Sequence, residues 1–183
     1  MRLTLRATDL DGRPVVTLDT ATEAGKIADV VIDPANGDVV GFRLRSQGIL
    51  GLADPGSLPL DTVRAVGSDA VMITAKTGLV REGSMPSGLG AARDIRGDRV
   101  INEDGTVTGH VTDVILAVDG ATVDVIGYEI EQPDRTRALI AVPDTFVISQ
   151  DALLVSNSIE LLPPDDLEAV ARASASQRSA DAA

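Results

Sequence analysis

Gly25-Lys26-Ile27-Ala28-Asp29-Val30 returns 84 residues later as Gly109-His110-Val111-Thr112-Asp113-Val114. The likeness extends outward from this stretch in both directions. Upstream, Asp9-Leu10-Asp11-Gly12-Arg13-Pro14-Val15-Val16 aligns with Asp94-Ile95-Arg96-Gly97-Asp98-Arg99-Val100-Ile101 at an offset of 85. Downstream, Val40-Gly41-Phe42-Arg43-Leu44 aligns with Ile126-Gly127-Tyr128-Glu129-Ile130 at an offset of 86. Asp61-Thr62-Val63 aligns with Asp144-Thr145-Phe146, and Asp69-Ala70-Val71 with Asp151-Ala152-Leu153, at offsets of 83 and 82. The offset changes only between blocks, where turns belong, so the chain is a duplication and each copy is one structural unit.

Each copy reads as short strands broken by turn residues. Leu3, Leu5 and Ala7 alternate with Thr4, Arg6 and Thr8, the period of a half-buried strand. Asp29–Asp33 and Val39–Arg45 flank Pro34-Ala35-Asn36-Gly37-Asp38, and Val114–Val118 and Val123–Ile130 flank Asp119-Gly120. Asn-Gly and Asp-Gly are hairpin signals because they tolerate positive φ. Further strands are expected around Ser57–Leu60, Val71–Thr74, Leu139–Val142 and Leu153–Val155. The predicted fold class is all-β: two tandem small β-barrels with a short C-terminal helix.

The expected organisation is a first repeat over 1–75, a Gly- and Pro-containing linker over 76–92, a second repeat over 93–157, and a short helix with a disordered tail over 158–183. Pro163-Pro164-Asp165-Asp166 starts the helix, with Leu167, Val170 and Ala171 at helical spacing. From Ser174 onward the composition reads as disordered. Units of ~70 residues bury a modest share of their surface, so the two copies are expected to pack on each other.

The resemblance that this order of motifs supports is to the PRC-barrel family. The first copy carries the fuller pattern: Asp9 to Gly12, Gly25 to Asp33, Val39-Val40-Gly41-Phe42, Leu58-Pro59-Leu60-Asp61-Thr62-Val63 and Gly67 to Val71. The family's fold is a small β-barrel, known in the H subunit of purple bacterial reaction centres and in the C-terminal domain of the ribosome maturation factor RimM. There it resembles a protein-docking module, which implies a non-catalytic adaptor or scaffold. Alternatives are a small-molecule-binding regulatory module with its ligand between the barrels, and a RimM-like ribosome-associated factor. This chain shows neither the H subunit's membrane helix nor the distinct N-terminal barrel of RimM, so neither setting carries over directly. Fold alone does not assign function.

Composition narrows the chemistry. There is no Cys, which removes disulfides and thiolate chemistry, and His110 is the single His. Its counterpart in the first copy is Lys26, so both read as solvent-facing polar residues. Asp33–Asp38 and Asn102–Gly105 lack the alternating oxygen ligands of a calcium loop and read as turns. Asp29 and Asp113 share a repeat position, which points to local backbone hydrogen bonds. The expectation is no enzyme activity, no metal and no cofactor.

Hydrophobic residues make up 44% of the chain, but the only aromatics are Phe42, Tyr128 and Phe146, so the core must be aliphatic. The net charge is −12, with −3 in 1–75 and −7 in 93–157. An acidic chain with few aromatics is a poor ligand for phosphate backbones and anionic lipid surfaces. No apolar run is long enough to span a membrane, and the N-terminus lacks a signal-peptide core, so a cytoplasmic location is expected. The expected partner is another protein, or a second copy of the chain. The candidate protein-binding residues are Ile49, Leu50 and Leu52 in the Gly-flanked apolar loop of the first copy, with the basic Arg43 and Arg45 beside it. The other reading of that loop is that it covers the open end of its own barrel or the other repeat.

Overall fold

The computed structural model describes residues 2–45, 56–81, 84–86, 88–142 and 152–181. The first repeat contains β1 (Arg2–Arg6), a 3₁₀ turn over Ala7–Leu10, β2 (Pro14–Thr17), β3 (Glu23–Ile32), β4 (Val39–Leu44), β5 (Gly56–Pro59), β6 (Val63–Val66) and β7 (Val71–Ile73). Two short strands follow, β8 (Val80–Arg81) and β9 (Gly90–Ala91). The second repeat contains α1 (Ala92–Ile95), β10 (Arg99–Asn102), β11 (Val107–Asp119), β12 (Thr122–Glu131), β13 (Arg137–Ala141) and β14 (Ala152–Val155), and α2 (Leu167–Asp181) ends the described chain.

The duplication is visible bond by bond. The Asp9 carboxylate accepts from the Arg6 backbone N–H at 2.9 Å, and Asp94, its counterpart, accepts from the Ala91 N–H at 3.1 Å. Gly12 N donates to the Ile27 carbonyl and Gly97 N to the Val111 carbonyl, both at 2.8 Å. In each repeat the long strand pairs antiparallel on both sides, and the strand before it pairs parallel with a late strand: β2 with β7, and β10 with β14. The β11–β12 hairpin turns at Asp119-Gly120, where Gly120 takes a φ of +63°, a conformation that costs a side-chain-bearing residue more.

The two repeats exchange their leading strands. β1 pairs with β11 of the second repeat from Arg2 opposite Asp119 to Arg6 opposite Ile115. β9, which leads into the second repeat, pairs with β3 of the first, with Ala91 opposite Val31. Arg6 and Ala91 are equivalent positions, as are Ile115 and Val31, so the exchange is reciprocal about a pseudo-two-fold axis. It explains β9 inside a stretch whose Gly and Pro content predicts a loose linker: the edges of β3 and β5 offer backbone partners to β9 and β8.

The core is continuous across the seam. Phe42 packs between its strand partners Val30 and Leu58, and Tyr128 between Val114 and Ile140, in one buried cluster that joins both repeats. Each such side chain contributes roughly 1.5–3 kcal/mol on full burial. A second layer lies outside the second repeat. Along β11, Val114, Leu116 and Val118 face the shared core, while Ile115 and Ala117 face Leu162, Val170 and α2. Gly127 allows this contact, because a Cβ there would meet the Ile140 carbonyl oxygen and lie 2.6 Å from Val170 Cγ1. Once anchored, the helix continues to Asp181 through an Ala-rich segment that composition alone reads as disordered. Adding a residue to an existing helix is far easier than starting one, and Ala is the best helix former.

Candidate functional site

The pairing of β3 with β4 skips from Ile27–Leu44 to Asp29–Arg43, and that of β11 with β12 from Val111–Ile130 to Asp113–Glu129. Ala28 and Thr112 are therefore the extra residues of two equivalent β-bulges, a device that re-aims the side chain beside it. Asp29 Oδ1 accepts from the Val30 N–H at 2.9 Å, and Asp113 Oδ1 from the Val114 N–H at 2.8 Å, the local backbone bonds expected from their shared repeat position.

Each carboxylate then reaches the other repeat's leading turn. The Thr8 hydroxyl donates to Asp113 Oδ2. Arg93, the equivalent of Thr8, places Nε 3.2 Å from Asp29 Oδ2. That contact is an ion pair without hydrogen-bond geometry, and Asp29 Oδ2 is buried with no hydrogen-bond donor. Burial pushes both carboxyls above the ordinary Asp value, opposed by their backbone donors, by Thr8 or Arg93, and by the charge of Arg96. A third link is Arg6, whose Nε donates to Glu129 Oε2 at 2.9 Å and whose Nη2 donates to the Pro164 carbonyl at 2.8 Å. Arg137 reaches the other Glu129 oxygen at 3.5 Å.

A cleft of about 250 Å³ opens along this seam. Its walls include both members of three equivalent pairs, Ala7 and Ala92, Thr8 and Arg93, and Asp11 and Arg96, together with Ala28 and Asp29 of the first bulge. It therefore follows the pseudo-two-fold axis, and alanines leave the space. Two carboxylates and two guanidinium groups line it, so it is locally neutral in a chain of net charge −12.

Of the residues singled out from sequence, Arg45 comes to the rim of this cleft: its Nη2 lies 2.7 Å from Asp11 Oδ1, both side chains about half exposed. Arg43 is half-buried on β4, opposite Asp29. Ile49, Leu50 and Leu52 lie outside the described residues, as do Asp144 and Phe146. Lys26 and His110 are both exposed. The Asp33–Asp38 segment is held as a turn by Asp33 Oδ1 on the Ala35 N–H and Asn36 Oδ1 on the Asp38 N–H. Among the described residues no His, Asp and Glu cluster is placed to hold a metal ion. Sequence reading passed over Thr8, Asp11, Arg93 and Arg96. The available signal was the contrast at matched positions, Thr8 against Arg93 and Asp11 against Arg96, inside blocks that otherwise keep their chemistry.

Comparison with known proteins agrees with the duplicated architecture. The PRC-barrel domain model matches residues 4–80 and again 89–162. The chain belongs to the PRC-barrel family and carries the domain twice in tandem. No curated protein matches it. Among the described residues no helix is long and apolar enough to cross a membrane.

Proposed function

We propose that the chain is a non-catalytic protein-binding adaptor or scaffold, acting in the cytoplasm, whose two PRC-barrel modules form one platform. The observation that carries this reading is the reciprocal strand exchange, which locks the modules in a fixed relation through Arg6–Glu129, Thr8–Asp113 and Arg93–Asp29. A fixed pair of modules presents a composite surface without an ordering cost on binding. The candidate contact residues are Ile49, Leu50, Leu52, Arg43 and Arg45, and Arg45 itself pairs with Asp11 at the rim of the seam cleft. The test is affinity capture from the native host with the wild type and a Leu50→Asp/Arg45→Glu variant, followed by rebuilding of the complex from purified components. A partner that binds the purified wild type and not the equally stable variant supports the adaptor reading. Failure of every captured protein to bind the purified chain sinks it.

The second reading, a small-molecule-binding regulatory module, is favoured by one observation: the cleft lies between the two repeats and is walled by charged residues from both. Ligand pockets commonly sit at such domain interfaces.

A further inference from the structure

Asp29, Arg43, Ser57 and Val80 form one cross-strand row over β3, β4, β5 and β8. Asp113, Glu129, Leu139 and Leu162 form the equivalent row of the second repeat. The second row is closed: Glu129 is held by Arg6 and Arg137, and α2 packs over Leu139 and Leu162. The first row is open. Arg43 takes the place of Glu129, is half-buried, and makes no side-chain hydrogen bond or ion pair among the described residues. Ala91 takes the place of Arg6. Beside this row Val40, Pro59 and Val80 are half-buried, and among the described residues no helix lies on β4 and β5 as α2 lies on β12 and β13.

The open face is also basic. Lys26 is exposed next to Arg45, whose backbone N–H donates to the Lys26 carbonyl at 2.8 Å. Asp11 balances Arg45 and Asp29 balances Arg93, so Lys26 and Arg43 are the surplus, in a chain of net charge −12. The matching positions in the second repeat are His110 and Glu129.

A surface of the opposite character lies on the same chain. Glu160, Asp165 and Glu168 are exposed, and Leu161 is 48% exposed beside them. Asp166, within this edge, is already paired with Arg172. The edge is fixed to the second repeat by the Leu139–Leu162 bridge and by Arg6 Nη2 on the Pro164 carbonyl. It sits where β8 sits in the first repeat. The pseudo-two-fold axis therefore separates the acidic edge from the basic face, and one chain cannot bring them together. Two chains can.

We propose that the β4–β5–β8 face of the first repeat docks the Glu160–Glu168 edge of a second copy, with Leu161 against Val40, Pro59 and Val80 and the acidic side chains toward Lys26 and Arg43. Exposed ion pairs contribute little each, so the apolar contact supplies the attraction. The charges select the partner and its orientation. The proposal rests on the adaptor reading and gives it a partner.

The test is sedimentation velocity with light scattering on the full chain over a concentration series at physiological ionic strength. There the ~8 Å Debye length screens the overall negative charge while adjacent charges still interact. The mass should rise with concentration above that of one chain. A face variant, Lys26→Glu/Arg43→Glu, and an edge variant, Glu160→Lys/Asp165→Lys, should each stay at the mass of one chain. Their equimolar mixture should associate, because the reversed face of one meets the reversed edge of the other. Leu161→Ser should weaken self-association roughly tenfold, about the worth of re-exposing part of a leucine. The edge variant alters exposed residues only and tests the proposal by itself should the face variant lose its fold. A wild type that keeps the mass of one chain throughout overturns the proposal. So does association that survives in the edge variant, or a mixture of two folded variants that stays dissociated. The adaptor reading falls only when partner capture also fails, so the two failures are distinguishable.

Discussion

Arg6 Nε lies 2.9 Å from Glu129 Oε2, joining the last residue of the N-terminal strand to a buried carboxylate in the other repeat. The Glu129 side chain is only 5% exposed, and Arg6 with Arg137 supplies its countercharge. The consequences of this link and its neighbours are measurable.

Arg6→Ala should destabilise the protein by about 3 kcal/mol, the lower end of the range for stranding one member of a buried ion pair. Arg137 remains as a weaker partner and keeps the cost from rising further. Arg6→Met combined with Glu129→Leu should recover most of the loss, since a buried pair can be replaced by apolar groups at little cost. Urea denaturation of the two single variants and the double variant measures the coupling.

Deleting residues 1–6 should expose the second repeat before the first. β1 pairs with Ile115–Asp119, so those amides should lose hydrogen-exchange protection while β2 and β3 keep theirs. Loss confined to β2 and β3 would contradict the exchanged pairing.

Asp113→Ala should cost about 1–3 kcal/mol, because the Val114 N–H and the Thr8 hydroxyl lose their shared acceptor. Asp113→Asn keeps an acceptor and should cost much less at neutral pH. The wild-type carboxyl is raised by burial, as is Asp29, so the folded state takes up these protons more readily than the unfolded chain. Their contribution is therefore fully present below the ordinary Asp value near ~4 and is lost as pH rises through the raised folded values. Asp113→Asn should flatten the stability-versus-pH curve in that window, measured by thermal unfolding at a series of pH values.

Gly127→Ala should cost roughly 1–3 kcal/mol through overpacking. Its Cβ would press on both the Ile140 carbonyl and Val170, so α2 should lift and become sensitive to protease. Adding Val170→Ala should relieve only the part due to the helix, because the Ile140 contact is with backbone.

The sequence determined a great deal of this protein on its own. The repeated Gly-x-x-x-Asp-Val blocks, the alternation of Leu3, Leu5 and Ala7, and the Asn-Gly and Asp-Gly turns are local signals, set by backbone conformation and side-chain period, and they were legible as two small barrels. The same blocks placed Asp29 and Asp113 on matched backbone hydrogen bonds and Phe42 and Tyr128 in matched core positions. The partners of those elements were not legible. Nothing in the alternation of Arg2–Arg6 says that it pairs with β11 and not with its own repeat, because a strand's edge bonds are identical for any neighbour. Only the tertiary structure made the exchange and closed Thr8 on Asp113 and Arg93 on Asp29. It also set Arg96 in a cleft that neither repeat forms alone, where its charge acts on both Asp29 and Asp113.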